Sequence, residues 1–223
     1  MLKKLSIVAA AMMLPAFACH AAGSADQVAR STEAMRTFVA KAPGPARALL
    51  EKSLCIAVIP QTASGSFEPG QGIISCRPGV SAPWSAPAGI DISGGGVIWD
   101  LASTQMSVFL LVNTPDAVKR MSGAAVILGV DVSAYPGPLR TDSNEGFPRQ
   151  PGAFGYSISG DDIEPVALGG GTVNEDTGLN QQIYGSKLHN AEILTGSRQR
   201  ATSAAVRDFI AVLPKAGAGV TEQ

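Results

Sequence analysis

Between residues 54 and 159 the chain presents one short apolar run after another, each cut off by glycine or proline. Leu54–Ile59 stops at Pro60. Ile73–Arg77 follows a stretch punctuated by Gly65, Pro69, Gly70 and Gly72. Ala88–Ile92 and Val97–Leu101 flank Gly94-Gly95-Gly96. Gln105–Val112, Ala125–Val132 and Ala153–Ser159 complete the series. Runs of this length between turn formers read as strands. They come mostly in succession instead of alternating with helices, which favours an antiparallel sheet over one built from strand–helix–strand crossovers. The expected fold class is α+β: an antiparallel, partly barrel-like sheet of short strands with helices at both termini.

The helices are marked by caps and stripes. Ser24, with Gln27 three residues on, resembles a capping box. Val28, Met35, Val39 and Ala42 then recur on one helical face, with Arg30, Glu33 and Lys41 on the other. Pro43 and Pro45 stop this helix, and a short one, Ala46 to Lys52, follows. Thr114-Pro115 starts another that ends by Gly123. Ser133 to Pro151, rich in proline, glycine, aspartate and asparagine, reads as a long exposed loop. Val166–Leu168 reads as a last short strand, and Lys187–Leu194 as helical. Ala205, Val206, Phe209, Ile210 and Leu213 form a final helical stripe closed by Pro214.

The first 22 residues have a different character. Lys3 and Lys4 precede an apolar run from Leu5 to Phe17, followed by small residues to Ala22, the pattern of a secretory signal peptide. The expected organisation is a signal peptide at 1–22, one domain at 23–215 and a flexible tail at 216–223. Phe17 fits poorly before a lipoprotein cleavage at Cys19, so cutting after Ala21 or Ala22 is the preferred reading. No later segment is apolar over enough residues to span a bilayer. The whole chain has a formal net charge of −1. Without Lys3 and Lys4 it keeps 15 basic against 18 acidic residues. That balance leaves no basic field for nucleic acid. Cys55 and Cys76, each in a strand-like run, fit either one disulfide or two buried thiols.

Catalytic patterns are sparse. His189 has no cysteine or carboxylate around it at metal-ligand spacing. Asp176-Thr177-Gly178 matches the aspartic-protease tripeptide, but that chemistry needs two copies and the chain has one. Gly94–Gly96 and Gly169–Gly171 lack the lysine of a phosphate loop and the spacing of a dinucleotide turn. No GxSxG occurs. No cofactor and no metal are expected, and no enzyme activity. Trp99 reads as core, and Trp84 fits either the core or an interfacial anchor.

Several segments, taken in order, carry a resemblance. They are the turn at Pro45 to Leu50, Ile56-Ala57-Val58-Ile59-Pro60, the hairpin Gly70 to Arg77, and Trp84-Ser85-Ala86-Pro87. Leu128-Gly129-Val130-Asp131 with Gly137-Pro138, then Gly155-Tyr156-Ser157, then Asn180 to Tyr184-Gly185 continue the series. From about Ala29 to Leu213 the chain resembles the SYLF family of lipid-binding domains. The resemblance implies binding to membrane lipids, phosphoinositides in eukaryotic members, with actin binding in some fungal ones. It places lipid contact on the N-terminal helical region, here Arg30, Arg36, Lys41, Arg47 and Lys52, with Val28, Met35, Phe38 and Val39 entering the headgroup layer. The same apolar face suits packing on the sheet equally. Gly160–Pro165 departs from the family pattern by carrying Asp161, Asp162 and Glu164 where small and apolar residues are usual. The expected partner is an anionic membrane lipid in the periplasm or at the outer membrane. The alternative is an envelope structural module of the same fold that binds a protein partner and no lipid.

Overall fold

The computed structural model describes residues 18–61, 70–94, 106–140, 151–196 and 203–215, with side chains from Asp26 onward. The expected strand Val97–Leu101, Trp99, Gly95, Gly96 and the tail at 216–223 lie outside the described residues. Six helices are described: α1 (Ala18–Lys41), α2 (Gly44–Lys52), α3 (Pro115–Met121), α4 (Thr177–Tyr184), α5 (Asn190–Leu194) and α6 (Ala204–Val212). Nine strands are described: β1 (Cys55–Ile59), β2 (Gln71–Cys76), β3 (Ala88–Ser93), β4 (Ser107–Val112), β5 (Ala125–Ile127), β6 (Ala134–Pro136), β7 (Ala153–Ser159), β8 (Asp162–Pro165) and β9 (Thr172–Glu175). They form one sheet ordered β5-β9-β3-β2-β1-β4-β7-β6, with β8 also on β7.

The fold is α+β, and the sheet curls into a half-barrel. It is mixed: all pairings are antiparallel except β6 with β7, which is parallel. Strands β1 and β4 are buried at every position, because both sheet faces are covered. That explains why their sequences, CIAVI and SVFLLV, are apolar without alternation. Ala57, Ile74, Ile90, Leu110 and Val112 point to one face with Met121, Val126 and Ile193. Ile56, Val58, Ile73, Phe109 and Leu111 point to the other, under α1, α2 and α6.

Helix α1 lays Val28, Met35 and Phe38 against that second face. Phe38 stacks on Phe109 with ring centroids 4.5 Å apart and tilts against Tyr156 at 5.6 Å. Each such burial contributes roughly 1.5–3 kcal/mol. Two expectations fail here. The helix begins at Ala18, so Ser24 does not start it, and the Gln27 amide donates to Gln71 O at 2.8 Å. The buried stripe also runs through Phe38, leaving Val39 exposed. Since Val28, Met35 and Phe38 are at most 1% exposed, they are unavailable to a headgroup layer.

Other corrections are local. Only Ala125–Ile127 of the expected strand to Val132 is strand, because Gly129 at φ +87° turns the chain. Only glycine takes that backbone readily. The expected loop after Ser133 opens with β6, whose end buries Gly137 and Pro138. A Cβ on Gly137 would lie 1.9 Å from the Tyr156 ring, so this close approach requires glycine. Val166–Leu168 is not strand; β8 and β9 lie on either side of it. Thr177–Tyr184 is an unexpected helix, capped by Asp176 accepting from Leu179 N at 2.8 Å. His189 precedes α5 instead of lying within a helix.

The tightest junction surrounds Arg77, which is 2% exposed. Its Nε donates to Ser53 O at 2.8 Å, Nη1 to Val80 O at 2.7 Å and Nη2 to Glu51 O at 2.6 Å. Its guanidinium carbon lies 4.3 Å from the Trp84 ring centre. Trp84 is 8% exposed and donates Nε1 to Pro214 O at 2.8 Å, so it belongs to the core. Beside it, Cys55 and Cys76 sit directly opposite on β1 and β2 and are joined by a disulfide. In the chain-entropy picture a loop of this size contributes about 3 kcal/mol.

Replacing Arg77 leaves three carbonyls without a donor and removes the cation from Trp84. Arg77→Ala is expected to lower unfolding free energy by on the order of 3 kcal/mol. Arg77→Lys should recover only part, since an ammonium cannot reproduce the planar fork. Urea unfolding followed by tryptophan fluorescence measures both, and a loss under 1 kcal/mol for the alanine variant would refute the junction's role.

Candidate functional site

Each of the five cations expected to touch lipid lies on α1 or α2. Arg30 is largely covered, with Nε 3.4 Å from Asp26 Oδ2 and a side chain 20% exposed. Arg36 is open to solvent and pairs with Glu33 at 3.3 Å. Lys41, the last residue of α1, pairs with Asp161 in the β7–β8 turn. Arg47 is exposed and reaches Ala42 O at 3.4 Å. Lys52 is exposed at the end of α2. Among the described residues neither Arg47 nor Lys52 has an ion-pair partner. The five do not converge on one pocket. They spread over two consecutive helices, and the exposed pairs among them contribute at most about 1 kcal/mol each.

One of them does line a cavity. Arg30, Glu33, Ala34 and Thr37 recur on α1 at helical spacing and form one wall of a groove of about 320 Å³. The opposite wall comes from one end of three adjacent strands, β1, β4 and β7. Pro60 and Gln61 follow β1, Ser107 opens β4, and Ile158 and Gly160 close β7. Pairing brings these ends together: Ile59 faces Val108 and Ser107 faces Ile158. Gln61 N donates to Ser107 Oγ at 2.9 Å across the floor. One turn past Thr37, the Lys41–Asp161 pair ties α1 to the β7–β8 turn. Asp161 therefore neutralises a cation of α1 next to Gly160 of the groove wall. Sequence reasoning missed Glu33, Gln61, Ser107 and Gly160, because a groove wall assembled from three strand ends has no linear signature.

Asp176, weighed above for catalysis, is engaged in the fold, as are the polar groups of Asn180, Tyr184 and Tyr156. Asp176 caps α4 through one carboxylate oxygen and accepts from Gln71 Nε2 at 2.9 Å through the other. Gly89 N donates to Asn180 Oδ1 at 2.6 Å, and the Asn180 amide donates to Leu188 O and Asn190 Oδ1. Tyr184 OH donates to Pro87 O, and Tyr156 OH to Pro138 O at 2.9 Å. Burial pushes both phenols well above their ordinary range. Among the described residues no cluster of three His, Cys, Asp or Glu fits a metal ion, and no helix is long and apolar enough to cross a membrane.

Comparison with known proteins bears on this arrangement. A family model described as Ysc84, Las17-binding protein actin regulator, matches residues 93–216, more than half of the chain. LAS seventeen-binding protein 3 of Saccharomyces cerevisiae, in strains YJM789 and ATCC 204508 / S288c, is 29% identical over 156 residues. The matched region is 66% of this chain and 34% of the relative, so the chain spans about a third of the length of the curated relatives it matches. The family match begins at the end of β3, so α1, α2 and their five cations precede it.

His189 supplies a test of the α5 junction. Its Nδ1 lies 2.9 Å from Glu175 Oε2, whose other oxygen accepts from Asn190 N. The hydrogen bond and then the charge of Glu175 raise the imidazole pKa above 6.5, with Glu192 adding to the effect. The folded protein thus binds this proton more tightly than the unfolded chain. The stabilisation is complete below the ordinary value and is lost as pH rises through the raised folded value. NMR titration, with His189→Gln identifying the resonance, should give a pKa above 6.5 that falls toward it in Glu175→Gln. A value at or below 6.5 in the parent would show that the contact does not form.

Proposed function

The chain belongs to the Ysc84 (SYLF) family, and from that premise we propose that it is an exported, non-enzymatic lipid-binding module that docks on anionic phospholipid headgroups. The observation that carries this reading is charge asymmetry. Residues 30–52 hold Arg30, Arg36, Lys41, Arg47 and Lys52 against Glu33 and Glu51, in a chain whose net charge is −1. A cationic segment on an otherwise acidic protein gives it one orientation toward a negative surface. Contact is electrostatic and peripheral, through Arg36, Arg47 and Lys52 as the open cations, because the apolar face of α1 is used in the core. Export rests on the basic and apolar start of the sequence and agrees with the Cys55–Cys76 disulfide, a bond that persists in oxidising compartments. The periplasm or the outer membrane surface is the corresponding location.

A second reading, an envelope module that binds a protein and no lipid, draws on a different surface. Val130 is 77% exposed and Ile127 41% exposed at the β5 edge of the sheet, and the matched relatives are named for binding a protein.

Liposome co-sedimentation separates the two. The first reading expects binding to vesicles rich in anionic phospholipid, none to neutral vesicles, and loss at high salt. Reversing Arg36, Arg47 and Lys52 to glutamate together should weaken it at least about tenfold, each near-surface charge being worth roughly 1 kcal/mol. Absence of binding to anionic vesicles at low salt removes the lipid reading. Cross-linking through the β5 edge to a specific envelope protein would then support the second.

A further inference from the structure

The turn between β2 and β3 holds an apolar side chain above the buried Arg77 cation. We propose that this turn, residues 78–83, is where the protein enters an anionic lipid surface, with Val80 inserted and Lys52 and Lys215 on the phosphates. This deepens the lipid reading above and rests on it. Hydrogen bonding gathers the patch from three distant stretches of chain. Arg77 donates to Glu51 O and to Val80 O, so Lys52, next to Glu51, and the turn meet at one guanidinium. Its ring partner Trp84 donates to Pro214 O, which brings Lys215 to the same place. Lys52 and Lys215 are exposed, and among the described residues neither has an ion-pair partner. Residues 50–53, 77–84 and 213–215 hold the cations Lys52, Arg77 and Lys215 against a single acid, Glu51.

Charge complementarity selects an anionic surface. The partners of Arg77 are three carbonyls and the Trp84 ring, none of them a carboxylate. A positive charge with no counter-ion therefore sits beneath the turn, and burial leaves its field weakly screened. Lys52 and Lys215 add to that field at the surface. Shape selects insertion. Ala82 N donates to Gly79 O at 2.9 Å, which closes a tight turn with Val80 and Ser81 at its apex. Arg77 holds Val80 O at 2.7 Å. The flanks are pinned by Arg77 N on Leu54 O and by Ser85 N on Cys76 O. Val80 is still 47% exposed, with Pro78, Ser81 and Pro83 exposed beside it. Neither proline has an N–H to strip of water on entering a headgroup layer. A β-branched side chain on a fixed backbone also loses little freedom on insertion.

The test has two arms. In the first, isotope-labelled protein is bound to nanodiscs of phosphatidylglycerol and phosphatidylcholine that carry a trace of lipid with a nitroxide on its acyl chain. The Gly79, Val80, Ser81 and Ala82 amides should broaden most, ahead of Arg36 on α1 and of Lys119 and Arg120 on α3. In the second, variants are co-sedimented with vesicles of the same two lipids. Val80→Ser should weaken binding at least about threefold, while its urea midpoint matches the parent's. Lys52→Glu with Lys215→Glu should weaken binding about tenfold or more. Lys119→Glu with Arg120→Glu makes the same change in net charge on a different element and should weaken binding at most about threefold. The proposal is overturned by unchanged binding of Val80→Ser, by broadening centred elsewhere, or by equal losses from the two charge-reversed pairs. Each of those outcomes leaves the lipid reading standing. Absence of parent binding to anionic vesicles at low salt overturns both.

Discussion

A guanidinium taken out of water must be hydrogen-bonded on every side or it costs several kcal/mol. Arg77 meets that demand with the carbonyls of Glu51, Ser53 and Val80 and the face of Trp84. Two of those carbonyls lie at the C-terminal end of α2, where a helix concentrates partial negative charge. Desolvation pulls the Arg77 pKa down, yet the surrounding carbonyls suit only the charged form. Trp84 extends the junction to Pro214, just past α6. Ser85 adds to it by accepting from Cys76 N and returning its own N–H to Cys76 O. One buried cation thus fixes where α2 ends, where the β2–β3 connection turns and where the last helix stops.

The segments that carry the family resemblance meet in pairs at such junctions. Arg77, ending the glycine-bearing hairpin, meets the Trp-Ser element. The Gly137-Pro138 turn lies against Tyr156, with no room for a side chain at Gly137. The Asn180–Tyr184 segment closes on Pro87 and Gly89. The last pair is more than 90 residues apart in sequence, and the last two join a polar side chain to a backbone atom, an arrangement that fixes how elements pack. These motifs were visible in the sequence through the family resemblance that they carry together. Their partners were not visible, since nothing local to Tyr156 specifies Pro138.

The rest of the fold was readable where local chemistry decides it. The Thr114-Pro115 start, the β1, β2, β4 and β7 runs and the α6 stripe follow caps, proline stops and apolar length. Reading failed where tertiary context decides. Thr172–Glu175 is polar and becomes strand only because it fits between β3 and β5. Ala134–Pro136 pairs with β7 despite proline, at a sheet edge where proline is tolerated. Val39 and Phe38 are adjacent, and only the aromatic gap over Phe109 and Tyr156 selects Phe38 for the core. The site was legible as a set of cations and illegible as a shape. Arg30 and Arg36 look equivalent in sequence, yet one lines a groove and the other faces solvent.

Covering the sheet on both faces restricts where a ligand can enter. With α1, α2 and α6 on one face and α3, α5 and the β5 region on the other, the remaining openings are sheet edges and strand ends. The ends of β1, β4 and β7 lie together because two antiparallel pairings, β1 with β4 and β4 with β7, are in register there. The long helix α1 passes across them, offering a polar stripe beside its buried one. A helix with two working stripes cannot release its apolar stripe to a membrane without uncovering Phe109 and Ile56. The surface that α1 offers is therefore its polar stripe. The acidic turn at Asp161 fits that constraint, since by pairing with Lys41 it ties the end of α1 to the β7–β8 turn.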